Sequence, residues 1–429
     1  MSEPVYFLNL VIENYRCFKD KQVLDLSDGK GNWKKWTVIL GDNGTGKSSL
    51  LELLAGAEAE QVGIKVRTFW PKLPYTVKAL IMSEEYIQNR GLCDIGINIF
   101  SKSIAESENT IHYQFDKNDL VIKKAPEDSR LVELKCFGYG ANRKMGPSLL
   151  ANLMEENSET LFNENARLIN AEEWLLQLDY AASKDSEIKN FAIDRRDQVK
   201  QILIDLLPDI TDIKFTIPTK ENLKPQVEFQ TSFGWVSIQQ LSLGYKTMIA
   251  WMIDLAARMF ERYPDSLNPL AQPAIVLVDE IDLHLHPQWQ RKIFDYLSDK
   301  FPQTQFIVSA HSPLIVQSAP QDANIVLLRK EGDHVVIDND LKSVRNWRLD
   351  QILTSDLFGL DSSRGKEAEE KLRERKELLA KEKLSKKEQE RLNELNSFAN
   401  RLPTAYSHED IEAMSIVQEA AEYLKNQKK

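Results

Sequence analysis

Cysteine is scarce in this chain: three residues, Cys17, Cys93 and Cys136, stand far apart among 429. With no CxxC pair and an odd total, they exclude a disulfide framework and a zinc knuckle and leave ordinary semi-buried thiols. Long apolar runs are missing as well. Nothing approaches the roughly 20 residues of a membrane helix, and the N-terminus MSEPVYFLNLVIENYR alternates like a strand, without the basic and apolar regions of a signal peptide. The expectation is a cytosolic chain with no membrane partner. An excess of positive charge is the third absence. A formal net charge of -10 argues against a surface broadly adapted to coating nucleic acid and leaves room for a local basic groove at most. What is present, 42% hydrophobic and 28% charged residues, suits a globular protein with one large core or two to three domains.

The strongest local signal lies in the first sixty residues. After the β-type run NWKKWTVIL comes GDNGTGKSSLLELLAG, which fits G-x-x-x-x-G-K-[ST] from Gly41 to Ser48 and continues with helical apolar spacing. Glycines at 41, 44 and 46 let backbone N–H groups turn inward around phosphate oxygens, and a helix N-terminus adds partial positive charge. The expected nucleotide cradle is therefore Gly41, Asp42, Asn43, Gly44, Thr45, Gly46, Lys47, Ser48 and Ser49. Lys47 reaches the β and γ phosphates in this pattern, and the Ser48 hydroxyl ligates Mg²⁺.

Far downstream, IVLVDE reads as a buried strand ending in Asp279 and Glu280. Asp279 is the expected Mg²⁺-side carboxylate and Glu280 the general base that orients the attacking water. IQQLSLGYKTMIAWMIDLAARM sets Ser242 and Gly244 at the start of a long apolar-periodic helix, a second anion-binding arrangement. FPQTQFIVSAHSPLIV gives another strand ending near His311, which is placed to hydrogen-bond a γ phosphate.

The order phosphate loop, LSxG, strand-DE, strand-His resembles that of ABC-type ATPase heads of the SMC, RecF and OLD branch, and FLNLVIENYRCFKDKQVLDL looks like the first hairpin of that branch. The resemblance implies an α/β fold: a P-loop head with a mixed central sheet flanked by helices, an N-terminal antiparallel β piece, helical insertions and a helical C-terminal region. It also implies that two heads sandwich ATP. Gly44, Lys47, Ser48, Asp279, Glu280 and His311 of one protomer then face Ser242 and Gly244 of the other, in a homodimer or higher oligomer. His284 and His286 in IDLHLHP lie where this family has a dimer-facing loop; if extended, alternate residues point to one side, and Asp282 joins the same contact. Zinc is the alternative, without further ligands nearby in sequence.

The reading divides the chain into an N-terminal lobe with the phosphate loop (1–150), a helical and β insertion (151–230), a C-terminal lobe with LSxG, Asp279–Glu280 and His311 (231–345), and a helical region for oligomer or partner contact (346–429). Strands are expected at Thr76–Ser83, Thr110–Lys123, Leu131–Gly138 and around Ile213–Phe229, with helices at Ala171–Leu178 and Asp185–Leu207. Arg143, in FGYGANRKM, is open between touching phosphate or nucleic acid and a structural task. No glutamine-loop residue stands out.

From Arg364 to Arg401 charges alternate densely along a thin stripe of Leu372, Leu379, Leu392, Leu395 and Phe398, with Ser385 and Glu388 as a capping box. That pattern suits a helical hairpin or a solvated helical face, and a last helix follows Ser407. NWRLDQILTSDLFGLDSSRGKEAEEKL resembles the segment after the His strand in bacterial ATPases of the Septu type. By that resemblance the partner is an HNH-type nuclease, DNA is reached through the complex, and the pair defends bacteria against phage. No HNH set, toprim domain or convincing D-x-D occurs in the chain itself. The alternative is a RecF-like clamp on duplex DNA in repair.

Overall fold

The computed structural model describes residues 4–57, 59–62, 65–68, 94–100, 110–115, 120–124, 134, 136–147, 157–220, 223–341, 347–360, 363–381 and 384–402. The chain divides into two compact units, the first running from Met1 to Ile352 with Asp356–Phe358, the second comprising Leu353–Ser355 and Gly359–Lys429.

The centre of the first unit is a six-stranded sheet in the order β16-β15-β3-β14-β13-β9. Its members are β3 (Trp36–Gly41), β9 (Cys136–Tyr139), β13 (Ala274–Val278), β14 (Thr304–Ser309), β15 (Asn324–Glu331) and β16 (His334–Asp338). All pairs are parallel except β15 with β16. Near-continuous apolar runs such as AIVLV belong in a parallel sheet covered on both faces. Alternation along each strand sends Val38, Val276 and Phe306 to one core and Ile39, Ile275 and Ile307 to the other.

The second core is closed by α1 (Lys47–Gly56) and an antiparallel sheet in the order β2-β1-β6-β7-β8, built from β1 (Tyr6–Glu13), β2 (Gln22–Asp25), β6 (Asp94–Phe100), β7 (Thr110–Phe115) and β8 (Leu120–Lys124). A separate hairpin joins β4 (Ala59–Val62) to β5 (Lys65–Thr68). A short α2 (Glu159–Phe162) precedes α3 (Ala171–Ser183) and α4 (Lys189–Leu206), and a small sheet follows, of β10 (Asp212–Phe215), β11 (Val227–Thr231) and β12 (Gly234–Ser237). The long α5 (Leu243–Arg262) fills the first core with Met248, Trp251, Met252 and Leu255, alongside α7 (Ile293–Lys300). Asp254 of α5 is fully buried, pairs with Arg258 at 2.6 Å and accepts the Tyr139 hydroxyl at 3.0 Å, so its charge is not left alone in the core. Short α6 (Pro287–Gln290), α8 (Pro313–Ser318) and α9 (Leu349–Leu353) complete the described helices of this part.

Several boundaries move. The run expected as one strand over Thr110–Lys123 is β7 and β8, paired antiparallel, and the strand expected over Leu131–Gly138 is β9, four residues long. The hairpin of β15 and β16, turning at Gly332 with φ +61°, and strand β12 are additions. The strand expected at Thr76–Ser83 and the helix expected after Ser407 lie outside the described residues.

In the second unit, α10 (Lys366–Leu379) pairs with α11 (Lys386–Arg401) as a hairpin. The Ser385–Glu388 capping box is present. Arg391 grips Glu374 through two nitrogens at 2.9 and 2.8 Å. The apolar seam needs one correction: Leu378, not Leu379, packs with Leu392 and Leu395, while Leu379 is 54% exposed. Lys371, Glu374, Arg375 and Leu378 follow the i, i+3, i+4, i+7 rhythm of one helix face, which turns Leu379 outward.

Candidate nucleotide site

The phosphate loop hangs from β3, whose first five residues are buried. Glycine is obligatory at its exit. A Cβ on Gly41, with φ +146°, would stand 2.7 Å from Thr45 Oγ1 and 2.8 Å from the Leu328 carbonyl of the neighbouring strand. Gly44 and Gly46 take φ +79° and +92°, and Gly46 is the N-cap of α1. No side chain caps that helix, so its amide end and dipole are turned to the loop. Asp42, Asn43 and Gly44 form the exposed crest, and Thr45 is buried with its hydroxyl on the Asp42 carbonyl at 2.8 Å.

Lys47 folds into the loop, donating to the carbonyls of Gly41 at 2.7 Å and Asp42 at 2.9 Å. Burial pulls its pKa below the usual lysine value, against the upward effect of Asp279, Glu280, Asp42 and Asp282. The two serines that follow part company. Ser48 donates to Asp279 Oδ2 at 2.6 Å, whereas the Ser49 hydroxyl is taken by Arg16, which also pairs with Glu52 at 3.0 Å.

Asp279 and Glu280 leave the end of β13, where the Asp279 amide donates to the Tyr139 carbonyl at 2.8 Å. Besides Ser48, the Asp279 carboxylate accepts the hydroxyl of Ser309, the last residue of β14. That hydroxyl in turn accepts the Glu280 amide at 2.8 Å. Arg143 lies beneath the same turn, 3% exposed, donating to the carbonyls of Gly140 at 3.1 Å, Asp279 at 2.6 Å and Glu280 at 2.9 Å. Burial lowers its pKa to about 10, while Asp279, Asp282 and Glu280 oppose that fall. The guanidinium, left open by the sequence, is thus occupied with main chain. Asp282 accepts the His311 amide with both oxygens, at 3.3 and 3.1 Å, which ties the turn after β13 to the turn after β14. Gln290 adds another tie, accepting Ser312 Oγ at 2.5 Å and donating to the Leu285 carbonyl at 3.1 Å.

The donor set fits a hard cation: a hydroxyl and a carboxylate oxygen already within one hydrogen bond of each other, on separate elements. The sequence pointed to Ser48 and Asp279. It did not point to Ser309, although its place at the end of the strand, two residues before His311, was a usable signal.

Ser242 and Gly244 belong to a different place. They line a cavity of about 560 Å³ together with Asp209, Tyr245, His284 and His286. Gly244 is required there, since a Cβ would come within 2.6 Å of the His284 carbonyl. The extended piece expected for IDLHLHP is instead a series of turns: Leu283 N donates to the Glu280 carbonyl and Leu285 N to that of Asp282, and His284 takes φ +65°. His286 caps α6, accepting the Gln288 amide at 3.4 Å. Both histidines still reach one cavity, but through a turn rather than through strand alternation.

Comparison with known proteins finds similar chains. A family model described as AAA ATPase domain matches residues 8–168, and one for an AAA domain of a Type IV TA system matches 138–317. The Septu protein PtuA of Bacillus mycoides is 28% identical over 81% of this chain and 44% of its own length. PtuA of Bacillus thuringiensis is 24% identical over 76% and 79% respectively, and the "Retron Vc95 probable ATPase" of Vibrio cholerae is 32% identical over 49% and 34%. The chain thus spans less than half the length of two of these relatives. Among solved structures, the SmcHead bound to the C-winged helix domain of ScpA aligns over 78% of this chain and 97% of its own, at 16% identity and a TM-score of 0.47. The chain has a P-loop α/β fold, is similar to AAA-type ATPase domains over residues 8–317, and resembles the Septu protein PtuA.

Proposed function

We propose that the chain binds ATP with Mg²⁺ in the phosphate loop, hydrolyses it at composite sites between two protomers, and thereby controls a separate HNH-type nuclease in the defence of bacteria against phage. One observation carries the reading: the 2.6 Å hydrogen bond that joins Ser48 of the loop to Asp279, with Glu280 next in line. A loop that cradles phosphates and a carboxylate pair from another strand meet at one point, as nucleotide hydrolysis requires.

Lys47 exchanges the Gly41 and Asp42 carbonyls for phosphate oxygens when nucleotide enters. Ser48 and Asp279 would hold Mg²⁺, which would supply positive charge to the phosphates. Glu280 accepts a proton from the attacking water, and His311, whose backbone amide donates a hydrogen bond to Asp282, donates to the γ phosphate. Ser242 and Gly244 close the site from a second protomer and make ATP the glue of the dimer. The likeness to PtuA and to a retron ATPase supports the defence assignment, and DNA is reached through the nuclease complex.

Two substitutions test the hydrolysis. Glu280→Gln is expected to slow phosphate release on the order of 10²–10⁴-fold with ATP still bound, whereas Lys47→Ala loses binding itself; full activity in both variants defeats the assignment. For the partner, the tagged chain expressed from its own locus is expected to copurify with an HNH protein. If it comes alone and grips duplex DNA in an ATP-dependent, steeply salt-sensitive manner, the clamp function replaces the defence function.

A further inference from the structure

Strands β9 and β13 are parallel, with Tyr139 opposite Val278, so the chain leaves both at the same edge of the sheet. Beyond Tyr139 the backbone must turn at once. Gly140 permits this because a Cβ there would fall 2.1 Å from the Thr160 carbonyl. Three residues later the Arg143 guanidinium reaches back under the other strand and holds carbonyl oxygens of Gly140, Asp279 and Glu280. At 3% exposure it is turned away from any ligand in solvent.

Glu280 has φ +48°, a left-handed conformation that a side chain other than glycine seldom adopts without outside support. That support comes from two directions. Arg143 fixes the carbonyls of Asp279 and Glu280 themselves, and Ser309 Oγ fixes the amide between them while it donates to the Asp279 carboxylate. The backbone direction at residue 280 decides where its carboxylate points relative to Ser48 and Asp279. We infer that Arg143 and Ser309 are positioning residues: together they clamp the Asp279–Glu280 peptide in its left-handed turn and so aim the Glu280 carboxylate at the water it activates. The inference rests on the reading of Glu280 as general base. A lysine cannot replace the arginine, because one ammonium lacks the planar fork that spans two carbonyls.

The test uses the full chain. Arg143→Lys and Ser309→Ala are made in the parent and in a Glu280→Gln background, with steady-state and single-turnover ATP hydrolysis and the affinity of a fluorescent ATP analogue measured for each. In the parent, each substitution is expected to lower kcat on the order of a hundredfold, with KM and analogue affinity changed less than about threefold. In the Glu280→Gln background neither substitution lowers the residual rate further, since there is no carboxylate left to aim. Ser309→Ala removes a single hydroxyl and serves if Arg143→Lys does not fold. Unchanged kcat in Arg143→Lys or Ser309→Ala, with Glu280→Gln inactive, overturns the clamp and leaves the assignment of Glu280 standing. Equal losses in both backgrounds, or loss of analogue affinity in step with kcat, also overturn it by exposing a merely structural role. A fully active Glu280→Gln removes the general base first, and the clamp with it.

Discussion

Gly44 and Gly46 differ in what a methyl group would meet. Both have left-handed φ, but a Cβ on Gly44 finds nothing within 4 Å, whereas one on Gly46 lands 2.7 Å from Cys17 Sγ and 3.0 Å from the buried Phe18 ring. Gly44→Ala is expected to cost about 1–2 kcal/mol, the left-handed strain alone. Gly46→Ala adds roughly 1–3 kcal/mol of overpacking. Urea denaturation of the two variants checks the order, and equal losses would contradict the packing of Cys17 and Phe18 on the loop. The contrast also marks what could be read in advance. G-K-S adjacency is chemistry written in consecutive letters, so Lys47 and Ser48 were legible. Arg143 was not, because its partners are main-chain carbonyls 136 and 137 positions away and a carbonyl has no letter in a sequence.

At the scale of elements, α11 offers a pH experiment. The Glu388 carboxylate is held down to about 2, first by the Lys381 ammonium and then by the amide and hydroxyl of Ser385. Its folded pKa lies below its unfolded one. The cap therefore stabilises the helix fully above about pH 4.5 and loses that contribution as the pH falls toward 2. Hydrogen-exchange protection in the first turn of α11 is expected to decline over that window. In Lys381→Met the decline should be smaller and complete at higher pH. Ser385→Ala should cost about 1 kcal/mol at neutral pH. The capping box was legible because it is a local code over four residues. The seam was mis-phased by one residue at Leu378 because the face of α10 is set by what it meets on α11, including the Arg391–Glu374 pair, and not by leucine spacing alone. Strand β12 escaped notice for a related reason: four residues starting at a glycine carry too little alternation to stand out.

The whole molecule is where the composite site must be tested. Lys47→Ala and Ser242→Arg are each expected to abolish turnover alone. Mixed in equal amounts, they form heterodimers in which one site joins an intact phosphate loop to an intact LSxG, and random pairing predicts roughly a quarter of the parent activity. A mixture as inactive as its parts would mean that each chain hydrolyses ATP by itself or not at all. The order of motifs announced the head at this scale, yet nothing in that order revealed how far apart in synthesis its pieces lie. Strand β3 carries the phosphate loop between β14 and β15, and Gln305 of β14 bonds the main chain of Phe7 in both directions across 298 positions. A ribosome adding 5–20 residues per second delivers those partners roughly 15–60 s after Phe7. Until then the nascent chain holds a loop without the carboxylate that meets it and a strand without its two neighbours. The head thereby becomes complete only once its last central strands have been made.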